Sequence, residues 1–296
     1  LDFYAEPNEG ALKQKNAALL HQVVGIIVNN TDTTVLTICL GAKSLLEVSV
    51  YGIYMMVVNA VNQLMTSFSN GLTAGFGEVI AKNEEETLKK SYSSYEYMYF
   101  VIMFIVIACM GVLILPFVGV YTINLTDVQY VRPVLGILFT LIVFMQNVRI
   151  PGLTIICAAG HYKETRYQAI LEAVINITVS LGLVWKFGMA GVLLGTVCSY
   201  GYRSFEIVFY TSRHLVKGCA KKSMFRILRN VFTVAILCTV GTYVIPQEIT
   251  SFTTWFLYAI GMGLTSVFFV VVINYVVEPD EFMQLRHRVN DIIKKE

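Results

Sequence analysis

The sequence predicts an all-α polytopic membrane protein, a helix bundle with about eight transmembrane helices, and three observations predict it. Only 14% of its 296 residues are charged, whereas 56% are hydrophobic; soluble domains carry roughly a quarter charged residues. Mean hydropathy is +0.64. Continuously apolar runs recur along the whole chain, each long enough to cross a hydrocarbon core of about 30 Å with roughly 20 helical residues. A transmembrane barrel would instead need short segments of alternating polarity.

In chain order, residues 1–16 form a polar linker containing EPNEGALKQKN, and the first span runs over 17–40. Spans at 46–72, 97–120, 131–157, 167–186 and 189–211 complete a six-helix lobe covering 17–211. A basic loop at 212–227 leads to two additional spans at 228–246 and 254–277, followed by a tail at 278–296. Pro151, which lacks a backbone donor, predicts a kink in the fourth span. Gly191, Gly195 and Ser199 form a small-xxx-small series that predicts close helix packing.

Basic residues near span ends set orientation. With the N-terminal segment cytoplasmic, 17 lysines and arginines fall on that side and three (Lys43, Arg132, Lys186) on the other. Both ends are then cytoplasmic, and the protein is expected in the plasma membrane, which is the inner membrane in a cell with two. The net charge of +2 is a basic collar that can meet anionic lipid head groups; no nucleic-acid-binding module is visible. Five of the six cysteines lie inside spans, with no disulfide framework or metal spacing.

Several spans carry polar faces. At 3.6 residues per turn, His21, Gly25, Asn29, Asp32 and Thr33 share about a third of the first helix, leaving Asn30, Thr31 and Thr34 to bond to neighbouring helices. Asn59, Asn62, Gln63, Thr66 and Asn70 form an amide stripe on the second. Thr165, Gln168, Glu172, Asn176 and Ser180 repeat the pattern on the fifth, and Gln146, Asn147 and Arg149 precede Pro151 on the fourth. Any single amide of this kind is most simply a bond across a helix interface. Ionisable residues within the stripes favour a hydrated cavity instead, because a charge at the bilayer centre costs at least about 2.5 kcal/mol. An Asp32–Arg149 ion pair is the structural alternative. Arg203 and Glu206 read as snorkelling residues near a span end, and His21 has no catalytic part.

The stretch GHYKETRYQAILEAVINITVSLGLVWKFGMAGVLLGTVCSYGYRS, residues 160–204, resembles the C-terminal region of bacterial polysaccharide flippases of the Wzx type. Gly160, Lys163 and Thr165 fit that family's G-x-Φ-K-x-T segment, and Glu172 and Asn176 fit its E-x-x-x-N helix. Lys186 and Gly188 fit the K-x-G turn, and Gly191, Gly195, Thr196 and Ser199 fit the G-x-x-x-G-T-x-x-S helix. Asn30-Thr31-Asp32 before Leu40-Gly41-Ala42, then Val50, Tyr51 and Tyr54, resemble a mid-chain helix pair of the family. TAGFGEVIAKNEEE resembles its exit from the membrane.

The resemblance implies the second lobe of a two-lobe multidrug/oligosaccharidyl-lipid/polysaccharide exporter fold, with the N-terminal lobe missing from this sequence. It implies a transporter, not an enzyme, that moves an undecaprenyl-pyrophosphate-linked oligosaccharide across the membrane for cell-surface polysaccharide synthesis. Polysaccharide polymerase and glycosyltransferases would be its neighbours. No cofactor is implied beyond coupling to a proton or sodium gradient. On this reading Asn29, Asp32, Asn59, Asn62, Gln63, Asn70, Arg149, Glu172 and Asn176 line the substrate path. Amides would meet sugar hydroxyls, Arg149 the pyrophosphate, and Asp32 and Glu172 would tune charge or ion coupling. The rivals are a multidrug or ion-coupled exporter, a membrane enzyme acting on lipid-linked sugars, and a non-transporting scaffold. The enzyme reading lacks a D-x-D or H-x-x-x-H motif and a long loop to carry it.

Overall fold

The computed structural model describes residues 15–41, 44–70, 72–246, 248–284 and 286. Every regular element among them is a helix: α1 Lys15–Cys39, α2 Ser44–Ser69, α3 Leu72–Ala81, α4 Glu85–Tyr121, α5 Pro133–Val148, α6 Ile150–Ala158, α7 Arg166–Phe187, α8 Met189–His214, α9 Ala220–Val244 and α10 Phe252–Val277. The expected all-α bundle is what forms, and helices occupy all eight expected places. Six stretches are long and apolar enough to cross a membrane: α2–α3, α4, α5–α6, α7, α9 and α10. The helices α1 and α8, of 25 and 26 residues, equal them in length but not in apolarity. Both carry the polar residues that build the site described below. The linker at 1–16 lies outside the described residues except for Lys15 and Asn16, and the tail lies outside them from 287.

Two helices are interrupted, one of them with a clear sequence cause. Pro151 sits in the first turn of α6, where a missing N–H costs nothing and a continuous helix from α5 would have lost a bond. The chain therefore breaks at Arg149, between α5 and α6. The second break divides α2 from α3 at Asn70.

α4 is the post of one part of the bundle. It starts at Glu85, well before the expected 97, because Leu88, Tyr92, Tyr95 and Tyr99 recur at helical spacing and are all buried. Glu85 and Glu86 in its first turn suit the positive end of the helix dipole. The helices α5, α9 and α10 all pack on α4, and α1 leans on α7.

α7 and α8 are the tightest pair. The chain reverses at Gly188, whose φ of +57° favours glycine. A Cβ on Gly191 would lie 2.3 Å from the Leu183 carbonyl oxygen, and one on Gly195 would lie 2.7 Å from the Ser180 nitrogen. The small-residue series does set this approach.

The segment read as a basic loop to 227 is helical from Ala220, and one of its charges is not solvated. Arg226 is fully buried. Its NH1 donates to Glu96 Oε2 at 3.0 Å, and its Nε and NH2 donate to Glu278 Oε2 at 2.9 and 2.7 Å. Ser223 Oγ donates to Glu96 at 2.5 Å, and Arg229 NH1 donates to Glu278 at 2.9 Å. This network holds α9 and the end of α10 against α4. Burial pulls the Glu278 carboxyl upward, but hydrogen bonds from Arg226, its charge and Arg229 outweigh that and leave it below its ordinary 4.5. Glu281 is likewise pulled up by burial and brought below 4.5 by its bonds to Lys222 and Ser93.

Candidate functional site

Two polar chambers meet between α1, α2, α5, α7 and α8. The first, about 330 Å³, is lined by His21, Gln22, Asn29, Gln146, Arg149, Glu172, Tyr200 and Arg203, among others. The second, about 390 Å³, is lined by Asn29, Asp32, Tyr51, Asn59, Asn62, Gln146, Thr196 and Tyr200. Val28, Asn29, Gln146 and Tyr200 belong to both, so the two chambers adjoin.

Tyr200 of α8 stands at their shared border. Its hydroxyl donates to Asn29 Oδ1 at 3.2 Å, and its ring lies 4.6 Å from the Arg149 guanidinium. A cation over an aromatic face in a desolvated site is a favourable contact.

In the second chamber Asp32 is buried. Its Oδ1 accepts from Thr196 Oγ1 at 2.7 Å and its Oδ2 from Tyr51 at 3.3 Å. No lysine or arginine among the described residues pairs with it; the Asp32–Arg149 ion pair weighed as the structural alternative does not form. Two hydroxyls satisfy Asp32, and Arg149 reaches α7 instead. There its NH1 meets Glu172 Oε1 at 2.5 Å. Asn62 joins α2 to α5, donating to Gln146 Oε1 and accepting from Asn147 Nδ2, both at 2.9 Å. Tyr99 of α4 donates to Asn147 Oδ1 at 2.9 Å, completing the wall.

In the first chamber Glu172 stands between two arginines, with Arg203 Nε 3.6 Å from its Oε2. Arg203 also pairs with Glu206 one turn on. It is only 3% exposed, so it is a member of an internal charge chain and does not snorkel. His21 Nε2 lies 3.0 Å from the Tyr162 carbonyl oxygen and 3.3 Å from Thr165 Oγ1, tying α1 to the turn before α7.

Of the nine residues expected on the path, Asn29, Asp32, Asn59, Asn62, Arg149 and Glu172 line the chambers. Asn176 lies behind the wall. Fully buried between α7 and α8, it donates to Thr196 at 3.0 Å and supports the hydroxyl that reaches Asp32. Gln63 and Asn70 line neither chamber and are exposed. Asn30, Thr31 and Thr34 do not bond to neighbouring helices; each returns to a carbonyl four residues back in α1, at 2.8, 2.7 and 2.8 Å. A short polar side chain in a helix satisfies itself this way when nothing opposite competes.

Tyr51, Thr196, Tyr200 and Arg203 are lining residues that sequence reasoning did not place on the path. A signal existed for three of them: Thr196, Tyr200 and Arg203 follow at spacings of four and three, one face of α8. No protein-family model matches the chain, and no curated protein matches it.

Proposed function

We propose that the chain forms one wall of a membrane transporter that flips an undecaprenyl-pyrophosphate-linked oligosaccharide from the cytoplasmic to the outer leaflet, for cell-surface polysaccharide synthesis. The observation that carries this reading is the pair of adjoining chambers, amide-rich in one and arginine-bearing in the other, inside a bundle of apolar helices. Amides offer both donors and acceptors to sugar hydroxyls. Arginine's planar fork matches phosphate oxygens.

On this reading the lysine- and arginine-rich helix ends are cytoplasmic, and the exposed amides Asn59, Gln63 and Asn70 face a second lobe across the path. Rocking of the two walls would open the path to each side in turn. The protein would sit in the plasma membrane beside the polymerase and glycosyltransferases that handle the same lipid intermediate.

The reading is tested by placing Arg149→Ala in the natural gene. Surface polysaccharide should be lost while the protein remains in the membrane at its normal level; unchanged surface polysaccharide would remove Arg149 from the path. A second reading, an ion-coupled exporter of small cations, is favoured by Asp32, a carboxylate in the chamber wall without a basic partner among the described residues. Cation-driven efflux that Asp32→Asn abolishes, with surface polysaccharide intact, would decide for it.

A further inference from the structure

The charge chain of the first chamber leaves its central cation under-used. A guanidinium offers five N–H donors in one plane. Arg149 spends one on Glu172 Oε1 at 2.5 Å, and its Nε is buried with no partner at all. Its charge is further held by the Tyr200 ring at 4.6 Å. A phosphate or diphosphate group, with three or more oxygens around each phosphorus, can satisfy such a fork more fully than one carboxylate oxygen does.

Glu172 has somewhere to go. Its second oxygen lies 3.6 Å from Arg203 Nε, a separation that a side-chain rotation closes to a direct bond. Arg203 is buried and already held in place by Glu206. The four groups sum to zero charge as they stand, so the chamber tolerates two buried arginines with no ligand present. Removing one partner from such a set leaves an uncompensated buried charge.

We propose that Glu172 is a resident counter-anion: it occupies Arg149 when the chamber is empty, and an incoming phosphate or diphosphate group displaces it onto Arg203. The exchange sets both affinity and specificity. A neutral sugar cannot displace Glu172, whereas a diphosphate can, and release of the ligand is assisted by Glu172 returning to Arg149. No proton or covalent bond is transferred; only ion-pair partners change. This rests on the assignment of Arg149 as the anion contact made under Proposed function, and adds a competitor to it.

The test is a titration of the detergent-solubilised full-length protein with inorganic pyrophosphate and, in parallel, with farnesyl diphosphate, following the thermal unfolding midpoint. Bound ligand raises that midpoint in proportion to its affinity, and the ligand-free transition shows that each variant is folded. Glu172→Gln should bind both probes at least about tenfold more tightly than wild type, a difference of about 1.4 kcal/mol. Glu172→Asp, which keeps the charge on a shorter arm, should fall between them. Arg203→Gln, which removes the second seat, should bind more weakly than wild type. Equal affinity in wild type and Glu172→Gln overturns the exchange while leaving Arg149 as an anion contact. Affinity unchanged in Arg149→Gln, or no binding by any variant, overturns the anion assignment itself. A tighter response to farnesyl diphosphate than to pyrophosphate in the Glu172→Gln protein points to a lipid-borne group; equal responses point to a free phosphate compound.

Discussion

The most direct structural prediction concerns Gly195, because its neighbours cannot move aside. A methyl group there would lie 2.1 Å from Ser180 Oγ, 2.7 Å from Ser180 N and 3.0 Å from the Asn176 carbonyl oxygen. Two of those atoms are backbone, and the hydroxyl is held by a 3.1 Å bond to the Val192 carbonyl oxygen. Gly195→Ala must therefore separate α7 from α8. Overpacking of a close interface costs about 1–3 kcal/mol; the gain in helix propensity over glycine, up to about 1 kcal/mol, offsets only part of it. Gly182 of α7 is the matched control, since a Cβ there meets nothing within 4 Å. Gly182→Ala should leave the thermal unfolding midpoint in detergent unchanged or raise it, and Gly195→Ala should lower it by several degrees. Equal midpoints for the two variants would refute the argument that this interface sets the position of α8. The separation should also reach the site, because Thr196, next to Gly195, carries the bond to Asp32.

Three further outcomes follow from the packing. Arg226→Ala leaves Glu96 buried without its cation, a loss of about 3–5 kcal/mol, whereas Arg226→Met with Glu96→Gln should recover most of it; a chemical or thermal unfolding comparison in detergent reads both. Glu278 and Glu281 are held below their ordinary 4.5 in the folded protein, so their contribution is fully present above pH 4.5 and is lost as the pH falls through their lower folded values. Unfolding midpoints taken downward from pH 7 should drop below pH 4.5, and less steeply in Arg226→Ala. Asp32→Asn keeps an oxygen to accept from Thr196, so its midpoint should stay within a degree or two of wild type while surface polysaccharide or ion coupling is lost; unaltered function would exclude Asp32 from the path.

The sequence made the helical architecture legible because apolar run length and helical spacing are local properties. The kink at Pro151 and the α7–α8 contact at Gly191 and Gly195 were legible for the same reason. What was not legible is which charge meets which. Asp32, Arg149 and Glu172 were all visible as intramembrane charges, but that Arg149 meets Glu172 of α7 rather than Asp32 of α1 depends on how the helices lie against one another, which is a tertiary property. Glu96 was hidden within a tyrosine-rich run just before the expected start of the third span. Its partner Arg226 was hidden within a run of basic residues that looks solvated until α9 is placed against α4. The amide stripe of α2 divides for a similar reason: Asn59 and Asn62 reach the second chamber, while Gln63, only one residue further, lies outside it.

The proposed transport of a lipid-linked oligosaccharide is tested most directly by the sidedness of that lipid. Membrane vesicles of known orientation would be prepared from cells carrying the natural gene, the Arg149→Gln gene or a deletion, and probed with a lectin that cannot cross the bilayer. With the natural gene, the lipid-linked sugar should be found on the face that was outside the cell. In the deletion and in Arg149→Gln it should accumulate on the cytoplasmic face. An identical distribution in all three, with the protein present and folded in the variant, would contradict it.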